Sequence, residues 1–416
     1  FSKIMNDSDA NSNISPLNLN KLFSEPTKAE KKALIEEEKS ESIIENPSEM
    51  PSQPSSTVTP TKTQQRQRRK RCDSRTLLKQ NGFDDDLILE PEDLETEKPI
   101  ASGGFADIFA ASLSPRGKQH IAESPRLAGR PVNKRTPNKQ TPPILRRTLT
   151  KSRAVEIPPN VTPAQFALKR IARKLQMSNS SDDVLREELV KESAILRDLD
   201  HPNIIMLNGL LVEEDDAISM CTEYCANGSV RDALLRDPNM SVTQRFRIAI
   251  DMAAAMAYLH DKKIVHCDIK ARNVLLDEDN NAKLCDFGLS MVQTDERVRL
   301  AGTKGYMAPE LLQFYADPYD GAAEMIYTFK SDVYSFGIFL YELFTGVDAE
   351  NVPFDTDEEI DKLLNDHYRP EIPKHLENTP QLQLLQQCWD QDPSKRPDFK
   401  EIFQELEIMY KDLKAK

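Results

Sequence analysis

The chain has 416 residues, enough for two or three folded units or for one large two-lobed unit with long flanks. Only 38% of the residues are apolar and 27 prolines stand against 13 glycines, which argues against a chain that is globular throughout. The net charge of −13 argues against specific nucleic-acid binding, and no apolar run approaches the ~18 residues that a membrane span needs.

Residues 1–86 are predicted to be a disordered N-terminal region, because a segment rich in Ser, Asn, Pro, Glu and Lys cannot bury enough apolar surface to offset its ordering entropy. The exception is a short charged helix from Ser24 to about Ile44, with Ser24 as its N-cap. The basic run at residues 66–71 is either a solvated charge cluster or a nuclear-import signal. Six scattered cysteines without a CxxC pair indicate reduced thiols, so we expect a cytoplasmic or nuclear protein.

The folded part is predicted to span residues 87–416, with an interruption at about 112–162. This stretch is proline-rich and carries eleven Lys and Arg against two Glu, so we expect a disordered basic insertion. It is either an inert loop or a regulatory arm, and with the N-terminal region it is a candidate to bind regulatory partners. Apolar strands come next, followed by helices at three places: Val242–His260, Asp332–Thr345 and Phe399–Leu413.

A segment of small residues follows the first predicted strand. It consists of Ala101, Ser102, Gly103, Gly104 and Phe105, with Ile108 in the apolar run behind it. The pattern indicates a strand, a turn and a second strand whose backbone can approach a phosphate closely. Taken alone, an ordinary hairpin explains it better.

A lysine and a glutamate further on are predicted to pair. Lys169 ends an apolar strand, where an exposed lysine would be ordinary. The next helix is capped by Ser181, and its apolar stripe consists of Leu185, Leu189, Leu196 and Leu199. Glu192 falls inside that stripe, and a carboxylate on a buried face is costly unless it is paired. Lys169 is the natural partner for it.

The middle of the folded part holds a polar loop between two apolar strands. The loop carries Asp268, Lys270 and Asn273 at fixed offsets, and the following strand, residues 282–285, leads into Asp286. A hairpin brings these groups together. Two carboxylates and an amide clustered in this way predict a divalent-metal and general-base site.

In their order, these motifs resemble those of the eukaryotic protein kinases, over about residues 87–409 apart from the insertion. Three later motifs also fit: Met307–Glu310, Lys330–Gly337 and Lys395–Pro397. The mixture is most similar to the tyrosine-kinase-like group of Ser/Thr kinases. The resemblance implies an α+β fold with a small β-rich N-lobe and a larger helical C-lobe, preceded by the disordered N-terminal region.

By resemblance, the site binds ATP with Mg²⁺ or Mn²⁺, and proteins are its substrates. Lys169 would contact the α- and β-phosphates and pair with Glu192, while the glycine-rich loop covers the phosphates. Thr222 would guard the pocket behind the adenine. Glu223 and Cys225 would belong to the hinge that contacts the base.

The resemblance also implies how transfer would occur. Asp268 would accept the proton of the substrate hydroxyl, and Lys270 would steady the transferring phosphate. Asn273 and Asp286 would hold the metal. Thr303 would hydrogen-bond Asp268 and Lys270, an arrangement that indicates Ser and Thr acceptors.

Other family features concern support of the site and departures from the pattern. Glu310 and Arg396 would form a buried ion pair, and Asp332 would anchor the catalytic loop. Two glycines of the nucleotide loop are replaced by Ala101 and Ala106, which should weaken ATP binding somewhat. Cys267 stands where most relatives carry an arginine that grips a phosphorylated activation loop.

Three alternatives to an active Ser/Thr kinase remain. The two alanines favour a pseudokinase that acts as a binding module. Ala271-Arg272-Asn273 and Tyr224 have a tyrosine-kinase character, which favours a dual-specificity or tyrosine kinase. The long flanks leave room for a scaffold in which the folded part is only a platform.

Overall fold

The computed structural model describes residues 73–102, 106–123, 166–171, 182–293, 298–299, 302–312, 324–350, 362 and 369–415. The predicted helix at Ser24, the basic run at 66–71 and residues 124–162 of the predicted insertion lie outside these ranges. Within them, the chain forms a small lobe built on one sheet and a larger lobe built of helices. The predicted α+β class with two lobes is therefore confirmed.

The small lobe is built on a six-stranded sheet with the order β1-β5-β6-β4-β3-β2. Its strands are β1 (Ile88–Leu89), β2 (Leu94–Ser102), β3 (Ala106–Leu113), β4 (Phe166–Ile171), β5 (Leu207–Val212) and β6 (Ile218–Glu223). Neighbouring strands are antiparallel except β1 and β5, which are parallel. Every residue of β5 is buried, as expected for an apolar central strand.

Two short helices correct the predicted limits of disorder. Helix α1 (Ser74–Gln80) lies before residue 87, and helix α2 (Pro115–Glu123) lies inside the predicted insertion. The fully buried carboxylate of Asp93 holds α2 in place, because Arg116 Nε lies 3.3 Å and His120 Nδ1 lies 3.1 Å from its oxygens. Residues 74–80 and 115–123 are therefore ordered, contrary to the prediction that both segments are disordered.

The remaining elements build the large lobe, apart from helix α3 (Asp182–Arg197), which belongs to the small one. The helices are α4 (Val230–Arg236), α5 (Val242–Asp261), α6 (Pro309–Leu312), α7 (Phe329–Thr345), α8 (Pro380–Cys388) and α9 (Phe399–Ala415). Short antiparallel pairs join β7 (Ile264–Val265) to β10 (Met291–Val292), β8 (Val274–Leu276) to β9 (Ala282–Leu284), and β11 (Val298–Arg299) to β12 (Glu324–Met325).

Helix α7 is the centre of the large lobe, and residues 331–344 are all buried. A Cβ on Gly337 would lie 3.0 Å from Cβ of Cys388, so this glycine allows α7 and α8 to pack closely. The three predicted long helices are confirmed. The start of α7 differs by three residues because Thr328 and Ser331 form the capping box, so Asp332 lies in the first turn. In the described part of the chain, no helix is long and apolar enough to cross a membrane.

Candidate active site

A cleft of about 490 Å³ lies between the sheet of the small lobe and the loops of the large lobe. Such a volume falls within the range of ordinary ligand pockets. Many of the predicted site residues line this cleft: Ala101, Ile108, Lys169, Glu192, Thr222, Glu223, Cys225, Asn273 and Asp286. Ser102 ends β2, and Gly103, Gly104 and Phe105 lie outside the described residues.

The predicted pair of Lys169 and Glu192 is present. Lys169 Nζ lies 2.8 and 2.9 Å from the two carboxylate oxygens of Glu192, and 2.8 Å from Asp286 Oδ1. Burial acts to lower the pKa of Lys169, but the two carboxylates outweigh it and raise the pKa above its ordinary value. The ammonium group therefore stays charged, as the predicted contact with phosphates requires.

The sequence of α3 explains why Glu192 points into the cleft. Leu189 and Leu196 are buried on the same helical face, and Glu192, at 5% exposure, lies between them. Its carboxylate is removed from water on an apolar face, so the contact with Lys169 is what makes this position tolerable. The prediction drawn from the apolar stripe is thus confirmed.

Asp286 reaches the same lysine from the large lobe. It follows β9 in a left-handed conformation with φ of 62°, which is costly for a residue with a side chain. The next residue, Phe287, is fully buried and packs edge-on against His266, with ring centroids 5.0 Å apart. Burial raises the pKa of Asp286, but Lys169 more than offsets it, so the net pKa is lowered and the carboxylate stays ionised.

The predicted hydrogen bonds of Thr303 with Asp268 and Lys270 are present. Thr303 Oγ1 donates to Asp268 Oδ1 at 2.7 Å and accepts from Lys270 Nζ at 2.8 Å. Lys270 Nζ also lies 3.0 Å from Asp268 Oδ2, and Asn273 Nδ2 donates to the same oxygen at 2.8 Å. These contacts fix the carboxylate of Asp268 beside Asn273, which lines the cleft. The arrangement suits a general base that receives a proton from a bound hydroxyl.

Asp332 anchors the loop that precedes Asp268, as predicted. The carboxylate of Asp332 accepts the backbone N–H groups of His266 at 2.9 Å and Cys267 at 3.0 Å. Cys267 adopts a left-handed backbone with φ of 69°. Because this conformation is costly for a non-glycine residue, the two hydrogen bonds stabilise a strained turn that sets the position of Asp268.

The predicted ion pair in the large lobe is also present. Arg396, whose side chain is fully buried, donates to both carboxylate oxygens of Glu310 at 2.7 and 2.8 Å. The fork-to-fork geometry is the strong form of this contact. It joins α6, which contains Glu310, to the turn between α8 and α9, which contains Arg396.

Sequence reasoning missed three ionic contacts, two of which involve residues that line the cleft. Lys283 Nζ lies 2.8 Å from Glu223, the predicted hinge residue, and Arg272 Nε lies 2.5 Å from Glu350. Glu342, whose pKa burial raises to about 7, accepts a hydrogen bond from Tyr306 and lies 3.2 Å from Arg231. Of these contacts, only that of Lys283 could have been predicted. Lys283 is a lysine inside the apolar strand β9, as Lys169 is in β4, and a lysine in such a position needs an acidic partner.

Comparison with known proteins agrees with this geometry. A family model described as protein tyrosine and serine/threonine kinase matches residues 159–406. Serine/threonine-protein kinase STY46 of Arabidopsis thaliana is 32% identical over 255 residues, which cover 60% of this chain and 41% of that protein. A probable serine/threonine-protein kinase of Dictyostelium discoideum is 37% identical over 237 residues, or 55% of this chain and 24% of that protein.

A third relative is serine/threonine/tyrosine-protein kinase HT1 of Arabidopsis thaliana. It is 34% identical over 231 residues, which cover 54% of this chain and 55% of that protein. The chain therefore spans less than two thirds of the length of each of these three relatives. The matched family region extends from before Lys169 to beyond Arg396 and so includes the whole polar cluster.

Proposed function

The chain belongs to the family of protein tyrosine and serine/threonine kinases, and from this premise we propose that it transfers the γ-phosphate of ATP to Ser and Thr hydroxyls of proteins. The observation that carries the proposal is the hydrogen-bonded cluster of Asp268, Lys270 and Thr303, which Asn273 joins to the cleft that holds Lys169. Phosphoryl transfer needs positioning and neutralisation of phosphate charge, and these residues supply both.

Each side chain has a step that its position permits. Lys169 donates to phosphate oxygens of ATP, and Glu192 keeps its ammonium group aimed into the cleft. Asp268 orients the attacking hydroxyl and receives its proton. Lys270 lies 3.0 Å from Asp268 Oδ2, so its charge is next to the point where the phosphoryl group arrives. The hydroxyl of Thr303 hydrogen-bonds both Lys270 and Asp268 and so fixes their relative position.

The donor set fits Mg²⁺ or Mn²⁺. These hard cations prefer oxygen ligands, and Mg²⁺ is often bound by one or two protein groups together with substrate phosphates. The carboxylate of Asp286 and the amide oxygen of Asn273 are such ligands, and both residues line the cleft. When bound, the metal would neutralise charge on the phosphates. In the described part of the chain, no cluster of three or more His, Cys, Asp or Glu offers a cage made of protein groups alone.

The preference for Ser and Thr rests on the acceptor side of the cleft. Lys270 and Thr303 form the hydrogen-bonded pair expected for that class. The name of the relative HT1 includes tyrosine, and Arg272 adds a tyrosine-kinase feature here. Dual specificity is therefore the second candidate. Phosphoamino-acid analysis of the autophosphorylated chain separates the two, and dominant phosphotyrosine would reject our preference.

The pseudokinase alternative rests on Ala101 and Ala106 in the nucleotide loop. The decisive experiment incubates the full chain with labelled ATP, Mg²⁺ and a generic acceptor protein, beside Asp268→Asn and Asp286→Asn. We expect transfer by the natural chain and a loss of several orders of magnitude in both variants. ATP binding without transfer by the natural chain would establish the pseudokinase. Near-normal turnover by Asp268→Asn would remove the general-base assignment.

Two further parts of the proposal concern location and regulation. We propose a cytoplasmic or nuclear protein, supported by cysteines that are all free among the described residues. We also propose that the basic segment 124–162 binds regulatory partners or competes with substrate at the cleft, supported by its excess of Lys and Arg. Deleting residues 124–162 should raise activity toward an external substrate more at low salt than at high salt. Unchanged kinetics would reduce the segment to a passive loop.

A further inference from the structure

Helix α3 is held on its outer side by a segment that precedes the predicted domain. This segment, residues 73–83, contains α1 and the turn that follows it, and we call it the brace. Leu78 and Phe83 of the brace are buried in the core of the small lobe, so the brace is a packed part of the lobe. Its contacts with α3 occur at two points.

The first point lies near the start of α3. Arg186, at 3% exposure, donates through Nη2 to the hydroxyl of Ser74, and the same atom lies 3.1 Å from Asp216 Oδ2. Ser74 is fully buried and completes the cluster, since its backbone N–H donates to Asp216 Oδ1 at 2.9 Å and its hydroxyl donates to the Asp216 carbonyl at 2.5 Å. One guanidinium group thus joins α1, α3 and the turn between β5 and β6.

The second point lies at the end of α3. Arg197 Nη1 donates to the carbonyl oxygens of Asn81 and Gly82 at 2.8 Å each. The guanidinium group of Arg197 also lies over the ring of Phe83, 5.0 Å from its centroid. Gly82 has φ of +77°, and an added Cβ would lie 3.0 Å from Arg197 Nη1. The turn is therefore shaped to receive this arginine.

The two arginines lie on one side of α3 and Glu192 lies on another. They are eleven residues apart, so at about 100° per residue they differ in direction by only about 20°, over roughly 16 Å of helix. Glu192, six residues after Arg186, is turned by about 120° from it. The brace therefore grips the side of α3 away from the cleft, on both flanks of the position from which Glu192 reaches Lys169.

We propose that the brace holds α3 in the position in which Glu192 pairs with Lys169, with Arg186 and Arg197 as positioning residues. The proposal rests on the proposed kinase activity for its catalytic consequence. The physical reason is that the brace makes more contacts with α3 in this position than in any other. Only a docked α3 offers both guanidinium groups to the brace, so the brace shifts the population toward the paired state. Hydrogen bonds from a charged donor are the strong kind, and two such points act on one rigid helix.

The test uses the full chain with Ser74→Ala, Arg186→Met and Arg197→Met. Each removes hydrogen bonds and keeps most of the packing volume. Lys79→Ala is the matched control, because Lys79 is an exposed residue of α1 that pairs with Asp85. We expect kcat to fall about three- to tenfold in the first three variants, with the KM for the acceptor unchanged. The Lys79→Ala variant should match the natural chain, and Arg186→Lys should recover part of the loss.

Two readouts separate positioning from mere stabilisation. In a Glu192→Gln background the brace variants should cause little further loss, since they act through Glu192. Amide hydrogen exchange in α3 should become faster in the brace variants, and this measurement decides the case even if the natural chain shows no phosphoryl transfer. Additive losses with Glu192→Gln, or faster exchange confined to residues 73–83, would overturn the proposal.

Discussion

The contact between Asp332 and the catalytic loop permits a quantitative prediction for Asp332→Asn. In the natural chain, the two carboxylate oxygens of Asp332 accept the backbone N–H groups of His266 at 2.9 Å and of Cys267 at 3.0 Å. The substitution replaces one of these acceptor oxygens by an NH₂ donor. One buried N–H would be left without an acceptor, at roughly 1–3 kcal/mol, and the other would lose its charge assistance. We therefore expect the free energy of unfolding to fall by about 2–4 kcal/mol.

The same change should lower activity, because Asp268 directly follows the strained residue Cys267. A displacement of about 1 Å at a reacting group can cost on the order of 100-fold, so we expect kcat to fall 10- to 100-fold. Thermal unfolding should show a Tm lower by roughly 4–12 °C. Ser331→Ala is the matched control, since its hydroxyl hydrogen-bonds with Thr328 at the start of the same helix.

The control should lose stability and keep its kcat. The comparison is sharp because both residues are buried at the start of α7 and only one of them contacts the loop. If Asp332→Asn lowers Tm and leaves kcat within twofold of the natural chain, the loop is positioned by other contacts and the reasoning is refuted.

Three further predictions follow from single residues. Lys169→Met should lower transfer by more than about 1000-fold, because it removes the charge that neutralises the phosphates. The circular dichroism spectrum should stay unchanged, because burial raises the pKa of Glu192 and lets the unpaired carboxylate take up a proton. Retained activity would contradict the phosphate-binding role. Phosphatase treatment should change kcat by less than about twofold, since Cys267 cannot grip an activation-loop phosphate; a large loss restored by rephosphorylation would contradict this. Burial lowers the pKa of His201 to about 4, so the stability that neutral His201 contributes above pH 6.5 should be lost as the pH falls toward 4. Tm should therefore fall over this pH range, and His201→Gln should make the fall smaller. An unchanged dependence of Tm on pH in the variant would assign the fall to other groups.

The cleft residues could be predicted because their signals are local. Glu192 interrupts an apolar helical stripe, and Asp268 and Asp286 stand at the ends of short apolar strands. Each pattern places a charged side chain beside buried apolar residues, which is unfavourable unless the charge is paired. The sequence therefore predicts a partner for each charge, and the fold brings one into contact with it. The ion pair of Glu310 and Arg396 joins residues 86 positions apart and was predictable only through the family resemblance.

The contacts that the sequence did not indicate join distant segments. Arg186 and Ser74 are 112 positions apart, and Arg231 and Glu342 are 111 apart. Helix α1 has only seven residues, too few for an apolar period or for stability in isolation. Its existence depends on tertiary contacts, which is why a segment that reads as a disordered flank is folded in the structure.

One departure from the family pattern, Cys267, and the brace bear on the same physical question, which is what keeps α3 in place. A phosphorylated activation loop can order a kinase when an arginine beside the catalytic aspartate grips it, and Cys267 removes that option. The brace instead holds α3 through Arg186 and Arg197, contacts that need no modification of the activation loop. A chain without the arginine clamp needs another source of order for the pair of Glu192 and Lys169. Contacts built into the small lobe supply it, so the active geometry should be constitutive and should depend on residues 73–83.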